Sequence, residues 1–125
     1  MILIAEDEEF NYLLLKYILE KNGYKTIRAS NGVEALEIYR SDLHLDLIVM
    51  DVKMPVMSGL EATIEIRKKD KKIPIIALTA YALPGDREMC MDAGSSDYIS
   101  KPIEKGDFLT RVKNLIEQSS HGRKN

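Results

Sequence analysis

The chain is short of several things, and each shortage closes off a class of function. Among its 125 residues there is a single cysteine, Cys90. One thiol excludes an internal disulfide and suits a reducing cytoplasm, the location expected here. Charge of one sign is not in excess either: 30% of residues are charged, yet the net charge is only -2. No global field therefore draws the chain by itself to nucleic acid or to an acidic membrane. No apolar run approaches the ~18 residues that a membrane span needs, and no signal peptide precedes the first strand. Glycine-rich phosphate loops are missing: neither Gly-x-Gly-x-x-Gly nor a Walker loop occurs, which sets aside nucleotide and flavin binding. There is no internal repeat and no low-complexity segment. The length fits one domain with a core that needs no disulfide or metal staple.

What is present is a regular alternation of strand and helix patterns. Its clearest member is Leu47-Ile48-Val49-Met50-Asp51, four apolar residues ending on a carboxylate. Such a run is the pattern of an interior strand buried on both faces of a parallel sheet. Pro55 and Gly59 follow, so the acid stands at a strand's C-terminal end beside a loop, where open α/β sheets bind ligands. An apolar strand from Met1 to Ala5 likewise ends on Glu6-Asp7, and a helix is expected from about Glu8 to Asn22, stopped by Gly23. A second strand covers 24–28. Asn31 with Glu34, and Ser58 with Glu61, are capping-box starts for two further helices, the second running to about Asp70. Pro74 to Leu78 is a strand ending on Thr79, and a fourth helix lies between Gly85 and Gly94. Asp97 to Ser100 is a short strand followed by Lys101-Pro102, and the last helix carries Phe108, Leu109, Val112, Leu115 and Ile116. The domain is expected over 1–118, with 119–125 a polar tail.

Five strand–helix units joined by short loops imply a parallel sheet, helices on both faces and right-handed crossovers. Parallel strands bring Asp7, Asp51, Thr79 and Lys101 to one edge. Two unit charges about 4 Å apart interact by roughly 4 kcal/mol near a protein surface, so Glu6, Asp7 and Asp51 repel unless a cation sits among them. Oxygen ligands with room for water suit Mg²⁺. A carboxylate attacking phosphorus is nucleophilic catalysis, and phosphoryl transfer is governed by placement and charge stabilisation.

Four motifs in register carry a resemblance. They are Ile4-Ala5-Glu6-Asp7, Met50-Asp51-Val52-Lys53-Met54-Pro55-Val56-Met57-Ser58-Gly59, Ala77-Leu78-Thr79-Ala80, and Asp97-Tyr98-Ile99-Ser100-Lys101-Pro102. Over residues 1–117 the chain resembles the receiver domain of two-component response regulators. Around Leu60-Glu61-Ala62-Thr63 and Gly85-Asp86-Arg87 it looks most like receivers of hybrid sensor kinases. The resemblance implies a single-domain, flavodoxin-like doubly wound sheet of strand order 2-1-3-4-5. It makes Asp51 the acceptor of a phosphoryl group from a histidine kinase or histidine phosphotransfer domain. Glu6 and Asp7 become the acidic pair for Mg²⁺ (with Mn²⁺ or Ca²⁺ as alternatives), and the Lys53 carbonyl a further ligand. Thr79 and Lys101 would grip the phosphoryl oxygens, Lys101 after a cis bond to Pro102, and Tyr98 would be the switch aromatic. Many members have Asp where Glu6 stands; one methylene longer, Glu6 is expected to act through a metal-bound water. The face of the fourth helix, fifth strand and last helix would change shape on phosphorylation and offers a homodimer surface. No separate substrate would be turned over. Met1 against the first strand favours a receiver excised from a longer kinase over a free-standing relay.

Rival readings are weaker. An aspartyl phosphatase usually needs a second acid two residues beyond the nucleophile, and Lys53 stands there. A phosphate-independent interaction module would have no need of the intact acid pair, Asp51, Thr79 and Lys101. Three further expectations come from the residues themselves. The first helix is apolar around more than half its circumference, so Phe10, Leu13 and Tyr17 should form an exposed edge which, with Ile103, docks the phosphodonor's helices. The fourth helix has little apolar surface beyond Met89, Cys90 and Ala93 and should be the loosest element, with Cys90 a core residue. Lys53 and Tyr81 should flank the path of attacking water and slow loss of the phosphoryl group.

Overall fold

The computed structural model describes residues 1–80 and 83–123, with side chains through 119; Tyr81 lies outside the described residues. Elements alternate as β1 (Ile2–Ala5), α1 (Glu9–Lys21), β2 (Thr26–Ala29), α2 (Gly32–Arg40) and β3 (Leu47–Asp51). The second half repeats the pattern with α3 (Gly59–Arg67), β4 (Ile75–Thr79), α4 (Asp86–Ala93), β5 (Asp97–Ser100) and α5 (Lys105–Arg123). All four strand pairings are parallel and the order is β2-β1-β3-β4-β5, the flavodoxin-like arrangement that the motifs imply. β1, β3 and β4 are buried along their whole length, which is why their sequences are continuous apolar runs rather than alternating ones.

Alternation along each strand divides the core into two layers. Ile2, Ile4, Leu47, Val49, Ile76 and Leu78 pack against α1 and α5 through Leu15, Ile18, Leu19, Phe108 and Val112. Leu3, Ala5, Ile48, Met50 and Ile75 pack against α2 and α3 through Ala35, Leu36, Ala62 and Ile66. Burying each large apolar side chain contributes about 1.5–3 kcal/mol, so these two layers carry the stability of the sheet. α4 stands outside this arrangement: Cys90 is its one buried residue, and Met89 is 53% exposed. Among the described residues no helix is long and apolar enough to cross a membrane.

Caps form where their residues predict them. The Asn31 side chain accepts the Glu34 N–H at 2.9 Å and the Ser58 hydroxyl accepts the Glu61 N–H at 3.1 Å. Element ends differ by a few residues from the sequence reading. β2 starts at Thr26, paired with Ile2, and the Ile2 N–H donates to the Lys25 carbonyl at 2.8 Å. α3 ends at Arg67, and its last carbonyls are taken up by a turn in which the Lys69 and Asp70 N–H groups donate to Ile66. The backbone of α5 continues as helix through Arg123, across the expected 118/119 boundary.

One glycine is required for the sheet to reach its rim in register. The Gly59 N–H donates to the Val52 carbonyl at 3.0 Å, seating the start of α3 on the end of β3. A Cβ at Gly59 would run into the Asp51 carbonyl and the Met50 side chain. Gly59→Ala is therefore expected to lower stability by about 3 kcal/mol, the upper range for overpacking a closed site, measured by urea denaturation. A wild-type midpoint in that variant would show that the two elements are not in contact as described.

Candidate functional site

The strand pattern delivers two carboxylates to the same place. Ile2 and Ile4 lie on the α1/α5 face of β1, so Glu6, two residues on, falls on that face as well. The ladder persists to this point, since the Glu6 N–H donates to the Ala29 carbonyl at 3.0 Å. On β3, Leu47 and Val49 lead in the same way to Asp51. Ala5 pairs with Met50 in the register, which puts Glu6 beside Asp51. Carboxylate oxygens of Glu6, Asp7 and Asp51 all lie within 4.8 Å of one another. Glu6 is fully buried and Asp51 is 4% exposed, whereas Asp7 faces solvent.

Lys101 closes the cluster from the far side. Its Nζ is 2.9 Å from Glu6 Oε1 and 2.9 Å from Asp51 Oδ2. The Lys101–Pro102 peptide is cis, as the resemblance implies. The Lys101 N–H donates to the Thr79 carbonyl at 2.7 Å, tying the ends of β4 and β5 together, and Thr79 is buried. Asp51 Oδ1 accepts the Lys53 N–H at 3.1 Å, which fixes the second oxygen of that carboxylate.

Burial pushes the Glu6 carboxyl up to about 7; neighbouring Asp51 adds to the rise and the Lys101 ammonium opposes it. Burial works against the Lys101 ammonium too, but the two carboxylates outweigh it and hold its pKa above the ordinary value. The donor set fits a hard divalent ion: oxygens only, three carboxylates, and an open side at Asp7 for water. Glu6 Oε1 meets the Lys101 ammonium as an ion pair and makes no further hydrogen bond among the described residues. Glu6 Oε2 accepts the Glu8 N–H at 3.2 Å.

The remaining candidates separate. Tyr98 is half-buried on β5, and burial, with Asp86 and the Cys90 thiol next in order, raises its phenol. It lines a groove of about 380 Å³ with Arg87, Ser100, Glu104 and Arg111 on the face shared by α4 and α5. Arg111 spans that face, pairing with Asp97 at 2.7 Å and Asp107 at 3.0 Å. On α1, Phe10, Leu13 and Tyr17 are 72%, 50% and 60% exposed, an apolar edge that begins beside the acid cluster. Ile103, on the β5–α5 loop, is half-buried and packs partly against the α1/α5-face core. Cys90 is buried with its thiol pushed up by burial, as a core residue should be. Sequence reasoning missed Arg28, whose guanidinium reaches the carbonyls of both Glu6 and Asp7 from β2.

The Glu6 proton has a thermodynamic consequence. The folded protein keeps it up to about 7, whereas an unfolded chain releases it near 4.5. Stability from this group is therefore complete below the unfolded value and is lost as pH rises through the folded one. In EDTA, the melting temperature of the wild type should fall between about pH 5 and 8, and Glu6→Gln, which has no proton to lose, should flatten that fall. Equal slopes in the two proteins would remove Glu6 as its source.

The comparisons agree with this geometry. The family model described as response regulator receiver domain matches residues 2–113. The chain is 42% identical over 117 residues to the polar-differentiation response regulator DivK of Brucella anthropi, covering 92% of this chain and 94% of that protein. Among solved structures, the receiver domain of the sensor histidine kinase PA1611 from Pseudomonas aeruginosa, with a magnesium ion coordinated in its active-site cleft, superposes with a TM-score of 0.85. It is 36% identical and matches across 93% of this chain and 96% of that one. A CheY-like receiver domain protein from Methanospirillum hungatei gives a TM-score of 0.89 at 28% identity, covering 97% and 96% of the two chains. Four polar strand ends meeting at one rim, on a sheet of this order, have the same explanation as these matches: the chain belongs to the response regulator receiver domain family of two-component systems, whose members are phosphoacceptors that turn over no separate substrate.

Proposed function

We propose that Asp51 is the phosphoacceptor of a phosphorelay and takes its phosphoryl group from the phosphohistidine of a histidine kinase or phosphotransfer domain. The observation that carries this is Asp51 buried at the sheet's rim with one oxygen on Lys101 and the other on the Lys53 N–H. A carboxylate oxygen of Asp51 forms the new bond to phosphorus as the bond from phosphorus to the imidazole nitrogen breaks, the electron pair leaving with the ring. Glu6, Asp7, Asp51 and the Lys53 carbonyl would hold Mg²⁺, with Mn²⁺ or Ca²⁺ as substitutes. When bound, the ion neutralises charge that develops on the phosphoryl oxygens. Lys101 keeps its proton and turns from the carboxylates toward those oxygens. Thr79 offers its hydroxyl, and the same residues later serve a slow self-catalysed hydrolysis.

A phosphoryl group adds about 1.5 to 2 negative charges at the rim. Thr79 shifts toward that charge and Tyr98 turns inward behind it, moving α4, the helix with one buried residue. The face of α4, β5 and α5 then presents its altered surface to an output partner or to a second copy of the chain. The phosphodonor docks on the α1 edge of Phe10, Leu13 and Tyr17, whose exposed apolar surface lies beside the acid cluster. The single cysteine and modest charge suit a cytoplasmic setting.

Intact-mass spectrometry after incubation with acetyl phosphate and Mg²⁺ tests the acceptor. One labile phosphoryl adduct is expected on the wild type and none on Asp51→Asn; an adduct on both, or on neither, would overturn the assignment. The same assay separates the docking edge. Phe10→Ala and Leu13→Ala should accept phosphate from acetyl phosphate at the wild-type rate but slowly from a cognate phosphohistidine protein. Equal rates from the protein donor would rule that edge out.

A further inference from the structure

We propose that Arg28 is a positioning residue for the divalent-ion site, fixing the backbone of the loop that carries Glu6 and Asp7. The inference rests on the metal-binding reading above. That loop needs an anchor. The last sheet bond of β1 is made by the Glu6 N–H, and α1 begins at Glu9 behind Glu8, an N-cap residue that makes no side-chain cap bond. Between the two elements the chain turns at the residues that must hold the ion.

Arg28 supplies the anchor from the edge strand. It pairs with Ile4 in the β1–β2 register, so its side chain emerges on the α1/α5 face. Its Nε and Nη2 donate to the Glu6 carbonyl at 3.3 Å each, and Nη2 donates also to the Asp7 carbonyl at 3.3 Å. Each bond is long for N–H···O, but the planar fork aims them at two adjacent peptide units. The guanidinium is itself held on two sides. Its Cζ lies 4.1 Å from the centre of the Tyr12 ring, and Nη1 is 2.9 Å from Glu9 Oε2 on the first turn of α1. Arg28 thus joins β2, the β1–α1 loop and α1 at one point, with its side chain 25% exposed.

Two effects of opposite sign follow, which makes the inference decidable. A positive charge this near the carboxylates repels a divalent ion, so its removal by itself would tighten binding. A group that orients a metal ligand strengthens binding, and losing one commonly costs about 10–100-fold in affinity. Arg28 donates to the carbonyls of the two ligand-bearing residues themselves, so weaker binding on its removal reports lost positioning and tighter binding reports lost repulsion.

Calorimetric titration with MgCl₂ reads the balance. Arg28→Met should bind Mg²⁺ about tenfold more weakly than the wild type. Arg28→Lys, which keeps the charge but not the fork, should fall between the two. Lys21→Met, which removes the same charge from the far end of α1, should bind as the wild type does. Far-UV circular dichroism and the melting temperature in EDTA establish that each variant is folded; a purely structural role would lower that temperature and leave the affinity unchanged. If Arg28→Met does not fold, Tyr12→Leu removes the stacked ring and should weaken Mg²⁺ binding in the same sense. Binding as tight as, or tighter than, the wild type in the folded variants would overturn the inference. Absence of Mg²⁺ binding in the wild type would instead remove the metal reading on which it stands.

Discussion

A single ammonium group holds together charges that would otherwise drive the rim of this sheet apart. Lys101 Nζ sits 2.9 Å from a carboxylate oxygen of Glu6 and 2.9 Å from one of Asp51, and both acids are buried. Taking carboxylates out of water costs several kcal/mol each unless a partner repays it. One lysine set against two buried acids, with a third acid at the solvent side, leaves the cluster net negative. That imbalance is what suits the rim to the divalent ion proposed for it. The sheet register, the cis bond before Pro102 and the seat of Gly59 against Asp51 all serve to bring these atoms to one place.

Around that fixed rim the stability is uneven, and the unevenness has a use. β1, β3 and β4 are buried throughout and α1 and α5 close over them, so Asp51 stands on a fully buried strand, with Glu6, Asp7 and Lys101 on the short loops that leave β1 and β5. α4 buries one residue and begins and ends at glycines of positive φ, Gly85 and Gly94. Its far end is held by Arg67, whose Nε donates to the Gly94 carbonyl at 2.7 Å and whose aliphatic stem lies where a Gly94 Cβ would be. A helix packed through one residue and fixed chiefly at one end can be moved by a small change of charge.

Much of this was legible in the sequence, for a physical reason. An apolar run that ends on a carboxylate has few explanations in a parallel sheet; Glu6-Asp7, Asp51 and Thr79 each close or follow such a run, and Lys101 follows the short fifth strand. Parallel topology then brings them to one edge without further information. Arg28 was not legible. A charged residue on an edge strand reads as solvated, and its contacts depend on backbone carbonyls and on the Tyr12 ring, none of which has a sequence signature. Ile103 is half-buried, a degree of burial that a loop residue after proline, with no periodicity to place it, does not reveal in sequence. The helical backbone past Ser119 was hidden for a related reason: polarity alone does not end a helix, and the stretch was read from its polarity.

The most direct test of the central charge balance is the melting temperature of Lys101→Met, taken in EDTA and again in excess Mg²⁺, beside the wild type. Breaking a buried ion pair from one side costs about 3–5 kcal/mol, so the variant should melt well below the wild type in EDTA and gain more than the wild type when Mg²⁺ is added. Equal melting temperatures in EDTA, with no larger response to Mg²⁺, would mean that Lys101 does not offset Glu6 and Asp51.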